Sequence, residues 1–134
     1  MKLEPVRMIN LPIVKRLRRK DILSRDNIEN YVPYPDENGI DDGKIFGYDI
    51  KNKQVTDLIN IAYDSILVID RSELFRNGDK VIVTTTAGGI ILGRSQLMSG
   101  QEIMLKNKTG KEHSILLFSD IIFIGRIISG ITIF

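Results

Sequence analysis

The chain has 134 residues, with 19 basic and 17 acidic side chains, a net charge of +2, no cysteine and a single histidine. The lack of cysteine excludes disulfides, thiol nucleophiles and cysteine-bound zinc, and one histidine cannot form a histidine metal cluster. A chain of this length can bury enough apolar surface to fold as one domain without metal or disulfide. We therefore expect neither a metal nor a cofactor.

The charges are distributed unevenly along the chain. Residues 1–20 hold seven basic side chains against one acidic side chain, whereas residues 21–60 hold nine acids against four bases. A basic arm could contact phosphate or an acidic partner. We favour the simpler interpretation that these charges protect a solvated edge strand. No apolar run is long enough to span a bilayer, and the first residues do not resemble a signal peptide, so we expect a cytoplasmic protein without membrane contact.

The first half of the chain alternates short extended runs with turns. Residues 1–10 are interpreted as a linker or disordered lead, and residues 11–134 as the folded domain. Within that domain the pattern predicts, in order, a strand at 11–17, a helical turn at 26–30 with Asp26 as its N-cap, an extended segment and turn at 31–39, a strand at 44–50, and a short helix or irregular loop at 54–63.

The second half is richer in β-branched residues. Three apolar runs between residues 66 and 94, separated by Asn77-Gly78 and Gly88-Gly89, predict an antiparallel meander. Further strands are predicted at 102–105, 114–118 and 121–128, with a turn at 108–111. Almost nothing has a helical period. The expected class is mostly β, a folded antiparallel sheet or partly closed barrel with little helix.

Several blocks, taken in order, resemble the C-terminal domain of LexA-type repressors and their phage-repressor and UmuD relatives. Residues 13–17 and 27–33 resemble the cleavage-region strand and the segment after it, and residues 46–55 resemble the strand that ends in the family's GDSM motif. Residues 64–94 and 122–128 resemble later strands of that domain. The resemblance implies the fold of this domain.

In that family a serine attacks a peptide bond of its own chain and a lysine is the general base. In this chain the serine position falls on Gln54 and the lysine position on Gly93, neither of which can do this chemistry. A shift of two residues offers the hydroxyl of Thr56, but no lysine on the other strand. A shift of one offers Arg94, which cannot lose its proton to act as a base.

The family's scissile pair of small residues falls near Arg18, Arg19 and Lys20, so the cleavage site is degenerate as well. The resemblance therefore implies a pseudo-enzyme: a non-catalytic dimerisation and regulatory domain of a repressor that cannot cleave itself. One alternative is a free-standing, UmuD-like accessory protein that binds a polymerase or another partner. A less favoured alternative is a self-cleaving serine peptidase with an unrecognised dyad.

Self-association is the family property that could remain without catalysis. Ile122, Ile124, Ile127 and Ile131 give the C-terminal strands more apolar surface than one sheet face needs, which predicts a homodimer interface there. No pair of amphipathic helices forms a helix-turn-helix, so DNA contact would need a separate domain, whether Met1 is the native start or not. An antirepressor or small ligand would then replace self-cleavage as the control. The space between Gln54 and Gly93 is a possible docking region, but we favour the simpler interpretation that neighbouring side chains fill it.

Overall fold

The computed structural model describes residues 7–36, 44–61, 65–71 and 75–132. Short alternating or fully apolar runs dominate these residues, and such runs form strands. The strands are β1 (Arg7–Val14), β2 (Ile28–Asp36), β3 (Ile45–Asp49), β4 (Val55–Asp57), β5 (Ser65–Asp70), β6 (Lys80–Thr85), β7 (Ile90–Leu97), β8 (Glu102–Lys106), β9 (His113–Leu117) and β10 (Ile121–Thr132). Two 3₁₀ helices, Arg25–Asn27 and Phe118–Asp120, are the helical elements of the described residues.

The strands form one sheet in the order β2-β1-β3-β5-β10-β6-β7-β8-β9, and β4 pairs with β7 outside this path. The predicted class, mostly β with little helix, is confirmed. The sheet is mixed, however, because β1 pairs with β3 and β4 with β7 in parallel. It also does not close into a barrel.

The predicted three-stranded meander is wrong in one respect: β5 and β6 do not pair. The strand β10 lies between them, antiparallel to both. The hairpin of β6 and β7 is as predicted, and Gly88 in its turn has a φ of +88°, which a residue with a Cβ rarely adopts. Local sequence signals specify a hairpin, but they carry no information on a partner strand 50 residues away.

The N-terminal predictions need three corrections. Residues 7–10 are part of β1 and not of a disordered lead, whereas residues 1–6 lie outside the described part. The helical turn covers Arg25–Asn27 and not residues 26–30, and Ser24, not Asp26, occupies its N-cap position without a side-chain cap hydrogen bond. Residues 55–57, placed in a predicted helix or loop, form β4 because they pair in parallel with β7. Parallel pairing depends on a distant strand, so a three-residue run gives little local signal.

Three apolar clusters make up the core. One joins Phe46, Leu67 and Phe123 around the centre of the sheet, with the rings of Phe46 and Phe123 edge to face at a centroid distance of 5.9 Å. A second lies between β1, β3 and β5, and a third between β6, β8 and β10. Among the described residues, no helix has the length and apolar character needed to cross a membrane, and no group of three potential metal ligands occurs.

Candidate functional site: the degenerate dyad positions and an arginine-lined cavity

The two positions aligned with the catalytic dyad belong to neighbouring segments of the sheet, but they are offset along the strand direction. Gln54 is exposed and directly precedes β4, and Gly93 is buried in β7. The parallel register pairs Val55 with Ile90 and Asp57 with Leu92. Gln54 is therefore four positions behind Gly93, an offset of about 13 Å at 3.3 Å per residue. Side chains at these two positions would not face each other.

No room for a longer side chain exists at Gly93. A Cβ built on Gly93 would lie 3.0 Å from the Cβ of Leu105 and 3.3 Å from the backbone nitrogen of Lys106. Both neighbours belong to β8, where backbone pairing holds them in place. The space that a missing lysine side chain could leave at Gly93 is thus occupied by Leu105 and the backbone of β8, as the favoured interpretation of the sequence has it.

Within the described part of the chain, no serine or threonine hydroxyl is hydrogen-bonded to a lysine amine or to the histidine ring. The buried hydroxyl of Ser95 donates to the Arg76 carbonyl at 2.9 Å, and that of Ser24 donates to the Asp26 carboxylate. The amines of Lys53 and Lys106 donate to oxygens of Asp49 and Gln96. His113 is exposed at the start of β9.

The degenerate cleavage region forms a folded loop between β1 and the first 3₁₀ helix. Asn27, which is buried, organises this loop: its amide nitrogen donates to the carbonyls of Arg16 and Ile22 at 3.0 and 2.8 Å. Its side-chain oxygen accepts the N–H of Arg16 at 3.1 Å, and its carbonyl accepts the N–H of Lys15 at 2.7 Å. One buried amide therefore fixes the path of residues 15–27. No local sequence signal predicts this role, because an asparagine before a strand can serve many purposes.

Hydrogen bonds hold the side chains of both Arg18 and Arg19. Arg18 is bound within this loop, and Arg19 is bound to the start of β10. One terminal nitrogen of Arg18 donates to the Ser24 hydroxyl at 2.7 Å and contacts the Asp26 carboxylate at 3.3 Å. The hydrogen bond from Ser24, and then that from Arg18, lower the pKa of the exposed Asp26 carboxyl. Arg19 donates to the Ile121 carbonyl at 3.1 Å, which connects the loop to the start of β10. Lys20 is exposed on the same loop.

A cavity of about 520 Å³ opens beside this loop. Its polar lining consists of three arginines, Arg18, Arg19 and Arg71, and its apolar lining of Ile22, Phe75, Phe123 and Ile124. No acidic residue lines it among the described residues. The volume is within the range of small-molecule sites. Arg18 and Arg19 are residues of the predicted degenerate cleavage region, whereas Arg71, Phe75, Phe123 and Ile124 come from segments about 50 and 100 positions away in the sequence.

A second cavity of about 340 Å³ lies where β4 ends beside β7. Its lining is polar and carries both signs of charge, with Lys80, Arg94 and Lys108 opposed by Asp57 and Glu112. The Asp57 carboxylate already accepts the N–H groups of Ile59 and Ile61. Because charges of both signs line this cavity, with three basic and two acidic side chains, it selects less clearly for a ligand of one sign than the first cavity.

The predicted interface residues on β10 differ in exposure and in the core cluster that they contact. Ile122 is 41 % exposed, whereas Ile124, Ile127 and Ile131 are half-buried, and each packs against a different core cluster. Exposed large apolar side chains occur at both ends of the sheet. Met8 of β1 and Tyr31 of β2 are 57 % and 59 % exposed, and Ile115 and Leu117 of β9 are 48 % and 46 % exposed.

In comparisons with known proteins, no protein-family model matches the chain, and no curated protein matches it at the level expected of a homologue.

Proposed function

We propose that the chain is a non-catalytic dimerisation and regulatory domain of a LexA-type or phage-type repressor, one that cannot cleave itself. The observation that carries this proposal is the state of the dyad positions. Gln54 and Gly93 supply neither a nucleophile nor a base, and this absence favours a domain that acts through binding. The offset of four residues between them adds no support, because the two dyad positions of the family face each other. The offset counts against the alignment on which the resemblance rests.

The proposed homodimer forms through the edge strand β9. The sheet has two terminal strands, and the other, β2, contains Pro33 and Pro35, which have no N–H to offer to a neighbour. The β9 sequence, His-Ser-Ile-Leu-Leu, has neither proline nor a charged acid or lysine. Such features normally protect an edge from pairing, so an edge without them is open to another strand.

The hydrogen bonds between β8 and β9 determine which backbone groups of β9 point away from β8. Asn107 donates to the Glu112 carbonyl at 3.0 Å, and Phe118 donates to the Gln101 carbonyl at 2.9 Å. Along an antiparallel strand, every second residue directs its N–H and C=O groups toward the paired strand. Glu112 and Phe118 bond toward β8, so the groups of His113, Ile115 and Leu117 point to the open edge. An antiparallel copy of β9 related by a two-fold axis would satisfy these groups and cover the apolar side chains.

In this proposal, contact with DNA belongs to a separate helix-turn-helix domain, and the protein acts in the cytoplasm. Release from DNA then depends on an antirepressor or a small ligand that distinguishes two states of the protein. Such a ligand shifts the equilibrium only by its difference in affinity for those states.

The proposal is tested by incubating the purified chain at alkaline pH, where a lysine base would be neutral, and measuring its intact mass. We expect no specific cleavage, and an identical result for Thr56→Ala, which removes the exposed hydroxyl closest to the aligned serine position. A cut near Arg18, Arg19 and Lys20 that disappears in Thr56→Ala would identify a peptidase with an unrecognised nucleophile and reject the proposal.

A further inference from the structure

We propose that the cavity beside the Arg18–Arg19 loop binds a small amphipathic oxyanion, that is, an aromatic or aliphatic body carrying one carboxylate or phosphate group. This inference goes beyond the proposed function, because it rests on the cavity alone and requires neither dimerisation nor loss of catalysis.

Among the described residues, the polar wall of the cavity carries more basic than acidic charge. Arg18 is paired with Asp26, but its Nε is buried and has no hydrogen-bond partner. Arg19 uses one nitrogen on the Ile121 carbonyl, which leaves its charge without an acidic partner in the described part of the chain. Arg71 is exposed, and its side chain has no ion pair or hydrogen bond among the described residues. Guanidinium groups bind carboxylate or phosphate oxygens through paired N–H donors.

The geometry of the arginines is partly fixed before a ligand arrives. The hydrogen bonds of Asn27 hold the loop, and contacts to Ser24 and to the Ile121 carbonyl hold the guanidinium groups of Arg18 and Arg19. Arginines ordered in advance lose less conformational freedom when a ligand binds. Arg71, which follows β5, is the side chain left to close on the anion.

The opposite wall is apolar and selects the rest of the ligand. Phe123 and Ile22 belong to the central core cluster, and Phe75 and Ile124 pack on the third cluster, so the cavity lies where two clusters meet. Its floor is therefore rigid and presents aromatic and aliphatic surface. A free inorganic anion would use the arginines and leave this surface in contact with water, whereas an amphipathic anion would cover both.

The experiment is isothermal titration calorimetry of the full chain with 2-naphthoate, 2-naphthyl phosphate, the neutral 2-naphthamide and inorganic phosphate. We expect at least one of the two aromatic anions to bind with a dissociation constant below about 1 mM, and at least tenfold more tightly than the amide or inorganic phosphate. The more tightly bound of the two identifies the oxyanion. Raising the salt concentration should weaken that binding.

Two variants locate the binding. Arg71→Gln should weaken binding of the aromatic anion about tenfold, as expected for loss of one charge-assisted contact. Arg25→Gln removes an exposed arginine of the neighbouring 3₁₀ helix that does not line the cavity, and it should leave binding unchanged. Equal affinity for 2-naphthamide, equal effects of the two variants, or no binding of either aromatic anion would each overturn the inference. None of these outcomes bears on self-cleavage or on the β9 edge, so the proposed function is tested separately.

Discussion

Asp70 of β5 and Arg126 of β10 stand opposite each other in the sheet, and a terminal nitrogen of Arg126 lies 2.8 Å from a carboxylate oxygen of Asp70. The Asp70 side chain is 9 % exposed and that of Arg126 is 37 % exposed, so the pair is only partly shielded from water. We therefore expect its contribution to stability to lie between that of a buried ion pair, whose disruption is costly, and that of a surface ion pair, which contributes little.

Replacing Arg126 with methionine should lower the free energy of unfolding by about 2 kcal/mol, because it removes the ion pair that Arg126 forms with the largely buried Asp70 carboxylate. Urea denaturation provides the measurement. Arg76→Met is the matched control, since Arg76 is exposed in a turn, and it should change stability by less than about 0.5 kcal/mol. Equal effects of the two variants would show that the ion pair contributes nothing to stability.

Glycine at position 93 is predicted to be required for packing. Gly93→Ala should lower the free energy of unfolding by about 1–3 kcal/mol, because the new Cβ meets Leu105 and the β8 backbone in a filled core. Gly100→Ala is the control: nothing lies within 4 Å of a Cβ there.

The double variant Gln54→Ser, Gly93→Lys should not cleave a peptide with a family cleavage sequence, because the positions do not face each other. Cleavage by this variant would refute the register of β4 on β7.

The dimer interface is tested by placing a charge on one of two surfaces. Static light scattering of the wild-type chain should report about twice its mass of 15.2 kDa. Ile115→Lys puts a charge on the β9 edge and should give a monomer. Ile122→Lys changes an equally exposed isoleucine on β10 and should remain a dimer. If only the Ile122 variant dissociates, the interface lies on the C-terminal strand and not on β9.

Tyr48 should make the protein sensitive to alkaline pH. Burial raises the pKa of its hydroxyl above the usual value near 10, and the negative charge of Asp49 adds to the rise. Because the folded-state pKa is higher than the unfolded-state pKa, the stability is full below pH 10 and falls as the pH rises through the folded-state pKa. Tyr48→Phe should therefore reduce the loss of stability between pH 9 and pH 11. Identical urea midpoints of both proteins across this range would contradict it.

Local patterns were sufficient to identify most strands, but not their arrangement. Two of these patterns each lie within ten residues. The alternation in residues 44–50 corresponds to β3, and the glycine turn at 88–89 corresponds to the β6–β7 hairpin. The position of β10 between β5 and β6 depends on pairing across more than 35 residues, for which a single sequence holds no signal. Prolines at 33 and 35 indicated extended backbone, and this backbone is the edge strand β2.

The candidate site was predictable only in part, for the same reason. The sequence showed that Gln54 and Gly93 cannot form a dyad, since that depends on residue type alone. It did not show that Leu105 closes the space at Gly93, nor that Arg71 and Phe123 join Arg18 and Arg19 around one cavity. These are contacts between segments that the topology brings together. The open β9 edge also became visible only when the strand order was known.

The place of β10 in the sheet has a consequence for how the chain acquires its structure during synthesis. It is the last of the ten strands along the chain, yet it lies between β5 and β6, joining the β2-β1-β3-β5 ladder to the β6-β7-β8-β9 ladder. On the ribosome, both ladders are complete in sequence before residues 121–132 emerge, but nothing along the main path of the sheet connects them. Until residues 121–132 have emerged, the edges of β5 and β6 that pair with β10 lack that partner strand. Folding of the whole sheet is a late event dominated by distant contacts, which makes it slow compared with a helical chain of similar length.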